Sequence, residues 1–332
     1  MLSRRGFLSA AAAASVAGGL AACAKKSGSG ATTGSSGGAA KTITLGFAQT
    51  GAESGWRTAN TKSIQDSCTP ANGINLKFVD CQGKPENQIA AVRNFIQQKV
   101  DIISFSPIVT TGWDGILKEV KAAGIPVVLT DRSVDVSDQS LWVTLVGSDF
   151  EAEGERAGHM MEKVLTGMST VNLAQLEGTT GSAPQIERTK GFKKIMDTHP
   201  EWKLVVSQTG NFERAKGKEV MAAFLQSHPE INALFAQNDD MGLGAIQAIE
   251  AAGKKPGTDI KIVTIDAIKD GFTAMAAGKI NGLCECNPIL GPQLVDTVKK
   301  VINKESVDKW IKTKEQDFTQ DQAAAALPSR QY

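Results

Sequence analysis

From Lys41 onward, short apolar runs alternate with stretches of helical periodicity, and after Ser148 the same alternation begins afresh. Nothing else in the sequence limits the fold as tightly. In the first half, strands are expected over 43–49, 74–81, 101–107, 125–130 and 142–146, the last closing a sheet. Helices are expected between them, over 55–68, 85–98 and 114–123. The helix over 85–98 carries Ile89, Val92, Phe95 and Ile96 on one face, the spacing of a buried stripe. Such alternation builds a doubly wound parallel sheet whose strands are linked by crossover helices. The second half repeats it, with strands over 170–176, 202–208, 233–237, 260–266 and 280–286. Its helices fall over 151–165, 185–199, 214–228, 241–252 and 269–277. A long helix over 292–303 follows Pro288, and a short strand is expected near 310–313. The second pattern is too long to extend one sheet. At 332 residues the chain suits two α/β lobes that face each other.

In open α/β sheets ligands sit beyond the carboxyl ends of the strands. The residues after each strand are therefore the candidates. The first strand leads into Glu53-Ser54-Gly55-Trp56-Arg57, the third toward Trp113, and the fourth into Asp131 and Arg132. The second half supplies Gln185 to Arg188, Asn211 with Phe212 and Arg214, Asn238-Asp239-Asp240, Asp266, and Glu285 to Asn287. A carboxylate accepts and a guanidinium donates in a fixed fork, so Asp131 beside Arg132 suits adjacent hydroxyls. Aromatic residues are only 5%, yet Trp56, Trp113 and Phe212 fall on these loops rather than on core faces. Polar groups with one or two aromatic plates are what a carbohydrate needs. The ring's C–H face packs on the aromatic, and each hydroxyl both donates and accepts. A site built for such hydroxyls rejects analogues that leave its buried polar groups unpaired. Each residue also has a local use: Trp56 and Trp113 can pack at the sheet edge, and Arg188 can be a solvated helix charge. Asn238 and Asp266 can cap the helices after them. Arg214 and Glu285 read as structural. What points to a site is that so many strand ends behave alike.

Other functions fit poorly. Thirty-six basic against 35 acidic residues leave a net charge of +1, without the basic excess that a nucleic-acid partner favours. No G-x-G-x-x-G follows the first strand and no G-x-x-x-x-G-K-[ST] occurs, so a nucleotide cradle lacks support. There is no G-x-S-x-G elbow. His159, His199 and His228 fall on expected helices or their ends, away from the strand-end loops where a triad or zinc site would need one. Asp239 and Asp240 are a carboxylate pair, but neighbours in sequence diverge in direction, which suits a glycosidase badly. Neither a cofactor nor a metal is expected.

The first 22 residues read as an export signal. Ser3-Arg-Arg-Gly-Phe-Leu8 resembles a twin-arginine signal, and the Ala-rich run behind it is short for a membrane span. Leu20-Ala-Ala-Cys23 looks like a bacterial lipobox, with Cys23 as the lipidated residue. Residues 23–40 then form a Ser-, Gly-, Thr- and Ala-rich tether that cannot bury a core. Its flexible part, about 14 residues, reaches about 20 Å. The expectation is an exported, lipid-anchored protein at the outer face of the bacterial cytoplasmic membrane. Cys68 and Cys81 can form a disulfide outside the cell or remain as buried thiols. Cys284 and Cys286 lie two apart on one strand face, badly placed to bond each other.

Several ordered motifs carry a family resemblance over the whole mature chain. They are the 53–57 loop, Thr130-Asp-Arg-Ser133, Glu187-Arg-Thr-Lys-Gly-Phe192, Asn211-Phe-Glu-Arg-Ala-Lys-Gly217 and Gln237-Asn-Asp-Asp-Met-Gly242. Together with the lipobox they resemble the ribose/galactose class of periplasmic sugar-binding proteins of bacterial ABC importers. Glu-Ser-Gly-Trp-Arg, Gly112-Trp113 and Asp131-Arg-Ser-Val-Asp135 are most similar to the galactofuranose binders of that class. The resemblance implies two flavodoxin-like (Rossmannoid) lobes joined by a three-segment hinge. One lobe would be 41–147 plus about 288–312, the other 148–287 plus about 313–332. It implies a monosaccharide, galactofuranose or a related hexose or pentose, held in the cleft and passed to permease and ATPase subunits by a monomer. Carried over position by position, Glu53 to Arg57, Asp131 and Arg132 would contact it from the first lobe. Arg188, Phe212, Asn238 and Asp266 would do so from the second, with Trp56 and Phe212 stacking on the sugar. Where ribose binders present a Gln on the last second-lobe strand, this chain has Cys286 beside Glu285. A sugar receptor feeding a sensor kinase is the alternative within the fold, and a surface carbohydrate hydrolase the enzymatic one.

Overall fold

The computed structural model describes residues 42–332. The export signal over 1–22, Cys23 and the tether over 23–40 lie outside the described residues. The first lobe is built on β1 (Ile43–Gln49), β2 (Ile74–Asp80), β3 (Ile102–Phe105), β4 (Val127–Thr130) and β5 (Thr144–Gly147). Between them run α1 (Gly55–Ser67), α2 (Pro85–Gln97) and α3 (Asp114–Ala122). The second lobe has β6 (Val171–Glu177), β7 (Trp202–Thr209), β8 (Ala233–Ala236), β9 (Lys261–Asp266) and β10 (Gly282–Glu285). Its helices are α4 (Phe150–Val164), α5 (Ala183–Met196), α6 (Arg214–Ser227), α7 (Asp239–Ala251) and α8 (Lys269–Ala276). The long α9 (Gly291–Ile302) returns to the first lobe, where Gly291 N donates to Ser63 Oγ on α1 at 3.0 Å. The tail adds β11 (Trp310–Lys312), β12 (Asp317–Thr319) and the short α10 (Ala323–Ala326).

The first sheet runs β11-β5-β4-β3-β1-β2 and the second β12-β10-β9-β8-β6-β7. Setting the tail strands aside, both have the 2-1-3-4-5 order of flavodoxin-like sheets, and both reverse direction between their first and third strands. The central strands are buried on both faces, which is why they read as unbroken apolar runs rather than alternating ones. The strand at 142–146 does not close its sheet. β11 pairs parallel outside β5, while β12 pairs antiparallel with β10. β11 is the short strand expected near 310–313, whereas β12, three residues long, has too little pattern for a sequence to announce. The chain passes between the sheets three times, at 148–149, 286–290 and 313–316, which is the three-segment hinge of a type I periplasmic binding protein.

The cysteine pairing is not made. Cys68 and Cys81 are free and buried. Cys68 packs with Leu45, Phe47 and Val128, whereas Cys81 packs with Ala48, Phe105 and Leu129. Successive strand residues point to opposite faces, so the two thiols are on opposite sides of one sheet and no bond can join them.

Candidate functional site

The first lobe's wall is assembled by one guanidinium. Ser54 caps α1, its Oγ accepting from Arg57 N at 3.1 Å, which places Arg57 in the first turn beside the sheet's carboxyl edge. Arg57 Nη2 donates to Asp131 Oδ2 at 2.7 Å, Nε to Glu53 Oε1 at 3.0 Å and Nη1 to Gln49 Oε1 at 3.2 Å. Ser106, just after β3, adds a hydroxyl to Asp131 Oδ2 at 2.8 Å. The ends of β1, β3 and β4 are thus tied together by charge-assisted bonds. Burial pushes the Glu53 carboxyl up, but Arg57 and Arg132 outweigh it and hold it below the usual carboxylate range. Asp131 has φ +63°, a left-handed conformation that costs a non-glycine residue about 1 kcal/mol or more. Gly147 on the neighbouring strand permits it, since a Cβ there would stand 2.7 Å from the Asp131 carbonyl oxygen.

Arg132 is held differently. Its Nη1 reaches the carbonyls of Ile108 and Pro107 only at 3.4 and 3.5 Å, and its Nε is buried with no hydrogen-bond partner. Burial, with Arg57 close by, pushes this guanidinium down to about 10, so it stays charged at neutral pH. Its Cζ lies 5.4 Å from the centre of the Phe212 ring across the cleft.

The second lobe's wall follows the same plan with other chemistry. Asn211 and Phe212 after β7, Asp266 at the end of β9 and Ala267 after it all have positive φ. Phe212 fits because Gly178 has no side chain, since a Cβ there would overlap the ring. Arg188 on α5 donates from Nε to Glu153 Oε2 at 2.8 Å and from Nη1 to Gln237 O at 2.5 Å. Its Nη2 is 3.6 Å from Asp266 Oδ1. Glu153 is fully buried with Oε1 unpartnered, and burial pushes its carboxyl up to about 8 despite Arg188. Burial also raises Asp266 well above the carboxylate range, against the pull of Arg188.

Glu53, Ser54, Trp56, Arg57, Asp131, Arg132, Arg188, Phe212, Asn238 and Asp266 line one interlobe cleft. Gly55 stands just outside it, its N–H donating across the lobes to Asp240 Oδ2 at 2.7 Å. Asn238 also caps α7 through Met241 N at 2.9 Å, so its local use and its place in the cleft coexist. Asp266 caps nothing, because Ile268 N donates to Asp239 instead. Trp113 is a correction. It is buried in the first-lobe core, stacked on Phe105 at 4.3 Å with its indole N–H on Val109 O, and takes no part in the cleft. Arg214 pairs with Asp240 and Asp270, and Glu285 with Arg330, as structural residues do.

Four further residues belong to the site without a sequence signal that singles them out. Ser106 and Phe150 follow strands and obey the strand-end rule, but a lone serine and a helix-opening phenylalanine carry no distinctive pattern. Pro184 lines the cleft from α5. Glu153 sits on the buried face of α4, where only the three-dimensional pairing with Arg188 reveals it. Cys286 also lines the cleft, and its backbone oxygen accepts the Trp56 indole N–H at 2.7 Å.

The lobes are closed on each other, with Thr110 N donating to Gly181 O at 2.9 Å across the gap. The free volume of the cleft is about 20 Å³, room for one water molecule. A larger ligand must enter with the lobes apart or move the side chains that now meet there.

Comparison with known proteins agrees with this geometry. Residues 45–306 match the family described as periplasmic binding protein domain. A galactofuranose-binding protein of Escherichia coli K12 is 44% identical over 264 residues, covering 79% of this chain and 82% of its own. A Mycobacterium smegmatis protein solved in complex with β-D-fucofuranose is 57% identical with a TM-score of 0.85, covering 87% of this chain and 95% of that one. The binding component of a Shewanella sp. ANA-3 arabinose ABC transporter, bound to L-arabinofuranose, is 44% identical with a TM-score of 0.83, covering 87% and 96%. The chain belongs to the periplasmic binding protein family, in its ribose/galactose class of sugar-binding proteins of bacterial ABC importers.

Proposed function

We propose that this protein captures a monosaccharide in its furanose form, galactofuranose or a related hexose or pentose, between its lobes and delivers it to an ABC permease. Members of the family are transport components and not enzymes. The observation that carries the reading is the cleft itself, to which both lobes bring hydroxyl-binding groups and aromatic faces. Asp131 accepts and Arg132 donates to ring hydroxyls from one side, and Arg188, Asn238 and Asp266 do so from the other. Trp56 and Phe212 supply the apolar faces. The lobes swing apart on the three crossovers to admit the sugar, and the closed form is what the permease reads. The furanose preference rests on three similar proteins whose names carry galactofuranose, fucofuranose and arabinofuranose. Exported as a lipoprotein anchored through Cys23, the protein works as a monomer at the outer face of the cytoplasmic membrane.

A thermal-shift series with galactofuranose, fucofuranose and arabinofuranose tests this. A true ligand raises the melting temperature with concentration, by the equivalent of about 2.7 kcal/mol at a hundredfold excess over Kd. No rise with any furanose, alongside a rise with pyranoses, would overturn the ring-form assignment.

A further inference from the structure

A second cavity of about 580 Å³ lies beside the crossover at 148–149. It is walled by both lobes and adjoins the sugar cleft, with Asp131 and Phe150 lining both. The two spaces differ sharply in capacity. The cleft holds one water, whereas the groove has the size of an ordinary small-ligand site. Its lining combines carboxylates with two tryptophans, each with a lysine ammonium over its ring. Trp142 and Trp310 stand in the wall from the first lobe, while Glu151, Glu155 and Glu187 bring carboxylates from the second. Trp142 is buried with an indole N–H that has no partner.

Charge narrows the occupant. Most charges of the lining are already paired: Asp149 with Lys312 at 2.7 Å, Glu151 with Lys190 at 2.6 Å and Glu155 with Lys194 at 2.8 Å, while Lys309 donates to Gln139 O and Trp142 O, both at 2.6 Å. A phosphate, nucleotide or uronate would find no free cation in the lining to balance it. A neutral polyol would find carboxylate acceptors for its hydroxyls without needing a free charge to meet it.

We propose that the groove is a second sugar subsite, so that the protein takes furanosides in which a further neutral sugar unit, joined to the one in the cleft, runs out past Asp131 and Phe150. This rests on the cleft being the monosaccharide site. Ala152, at the start of α4, lines the groove but not the cleft, so a bulky residue there fills the subsite without touching the cleft residues. Glu155, one turn further along, serves as an independent second plug.

Calorimetry on the mature chain with galactofuranose and with a galactofuranosyl-galactofuranose disaccharide tests the subsite. The wild type is expected to bind both, and Ala152→Trp and Glu155→Trp to weaken the disaccharide by about tenfold or more, a change of about 1.4 kcal/mol, with the monosaccharide unaffected. A wild type that binds the monosaccharide but rejects the disaccharide overturns the subsite and leaves the proposed function standing. So do folded plug variants that bind the disaccharide as the wild type does. A wild type that binds neither sugar overturns the cleft assignment, and the subsite with it.

Discussion

The two walls of the cleft use the same parts to different ends. In the first lobe Arg57 is buried among Asp131, Glu53 and Gln49, and it helps to hold Glu53 charged. In the second, Arg188 faces Glu153 and Asp266, whose carboxyls burial pushes upward. A buried cation beside a carboxylate that keeps its charge is a fixed strut. A cation beside one that can take a proton is a softer one. The difference teaches which residues hold the wall and which are left to meet a ligand.

The largest expected effect follows directly. Arg57→Met leaves Glu53 and Asp131 without their main cation, and breaking such a buried pair costs about 3–5 kcal/mol. Urea unfolding should show it as a lowered midpoint, and a variant as stable as the wild type would break the strut account. Arg188→Met should cost less, about 1–3 kcal/mol for the unmade bonds, because Glu153 can become neutral. Equal losses in the two variants would erase the contrast between the walls.

The third effect is a pH dependence. Glu153 has a folded-state value raised to about 8, above the ordinary carboxyl value of 4.5. A raised acid binds its proton more tightly in the folded state. Its contribution to stability is therefore full below about 4.5 and is lost as pH rises through about 8. Melting temperatures measured across that window should fall more steeply for the wild type than for Glu153→Gln. Parallel curves would place the titration elsewhere.

Much of the architecture is legible in the sequence. The doubled alternation implies two parallel sheets, because crossover helices leave a strong period and buried strands leave unbroken apolar runs. The strand-end rule then gathers residues far apart in the chain into one cleft, since parallel sheets place all their carboxyl ends together. It fails at Trp113, where the loop after β3 folds the indole back onto Phe105. It cannot see Glu153, whose role depends on helix packing rather than on a strand end. It also makes Asp131 and Arg132 equals. Asp131 is committed to Arg57 and Ser106, whereas Arg132 keeps a donor unpaired, and no sequence pattern distinguishes the two.

That inequality decides which variant is informative. Asp131→Ala is expected to disturb the wall by stranding Arg57, so loss of binding there would be ambiguous. Arg132→Ala removes two long hydrogen bonds, an unpaired donor and ion pairs to Asp131 and Glu53 at only 3.6 and 3.7 Å, while relieving the burial of a cation, and should change stability by about 1 kcal/mol or less. The most direct measurement is the calorimetric titration of Arg132→Ala with galactofuranose, alongside its urea midpoint. Affinity is expected to fall by about a hundredfold, or about 2.7 kcal/mol, at nearly wild-type stability. Wild-type affinity in a folded Arg132→Ala protein would contradict the assignment of Arg132 to the sugar.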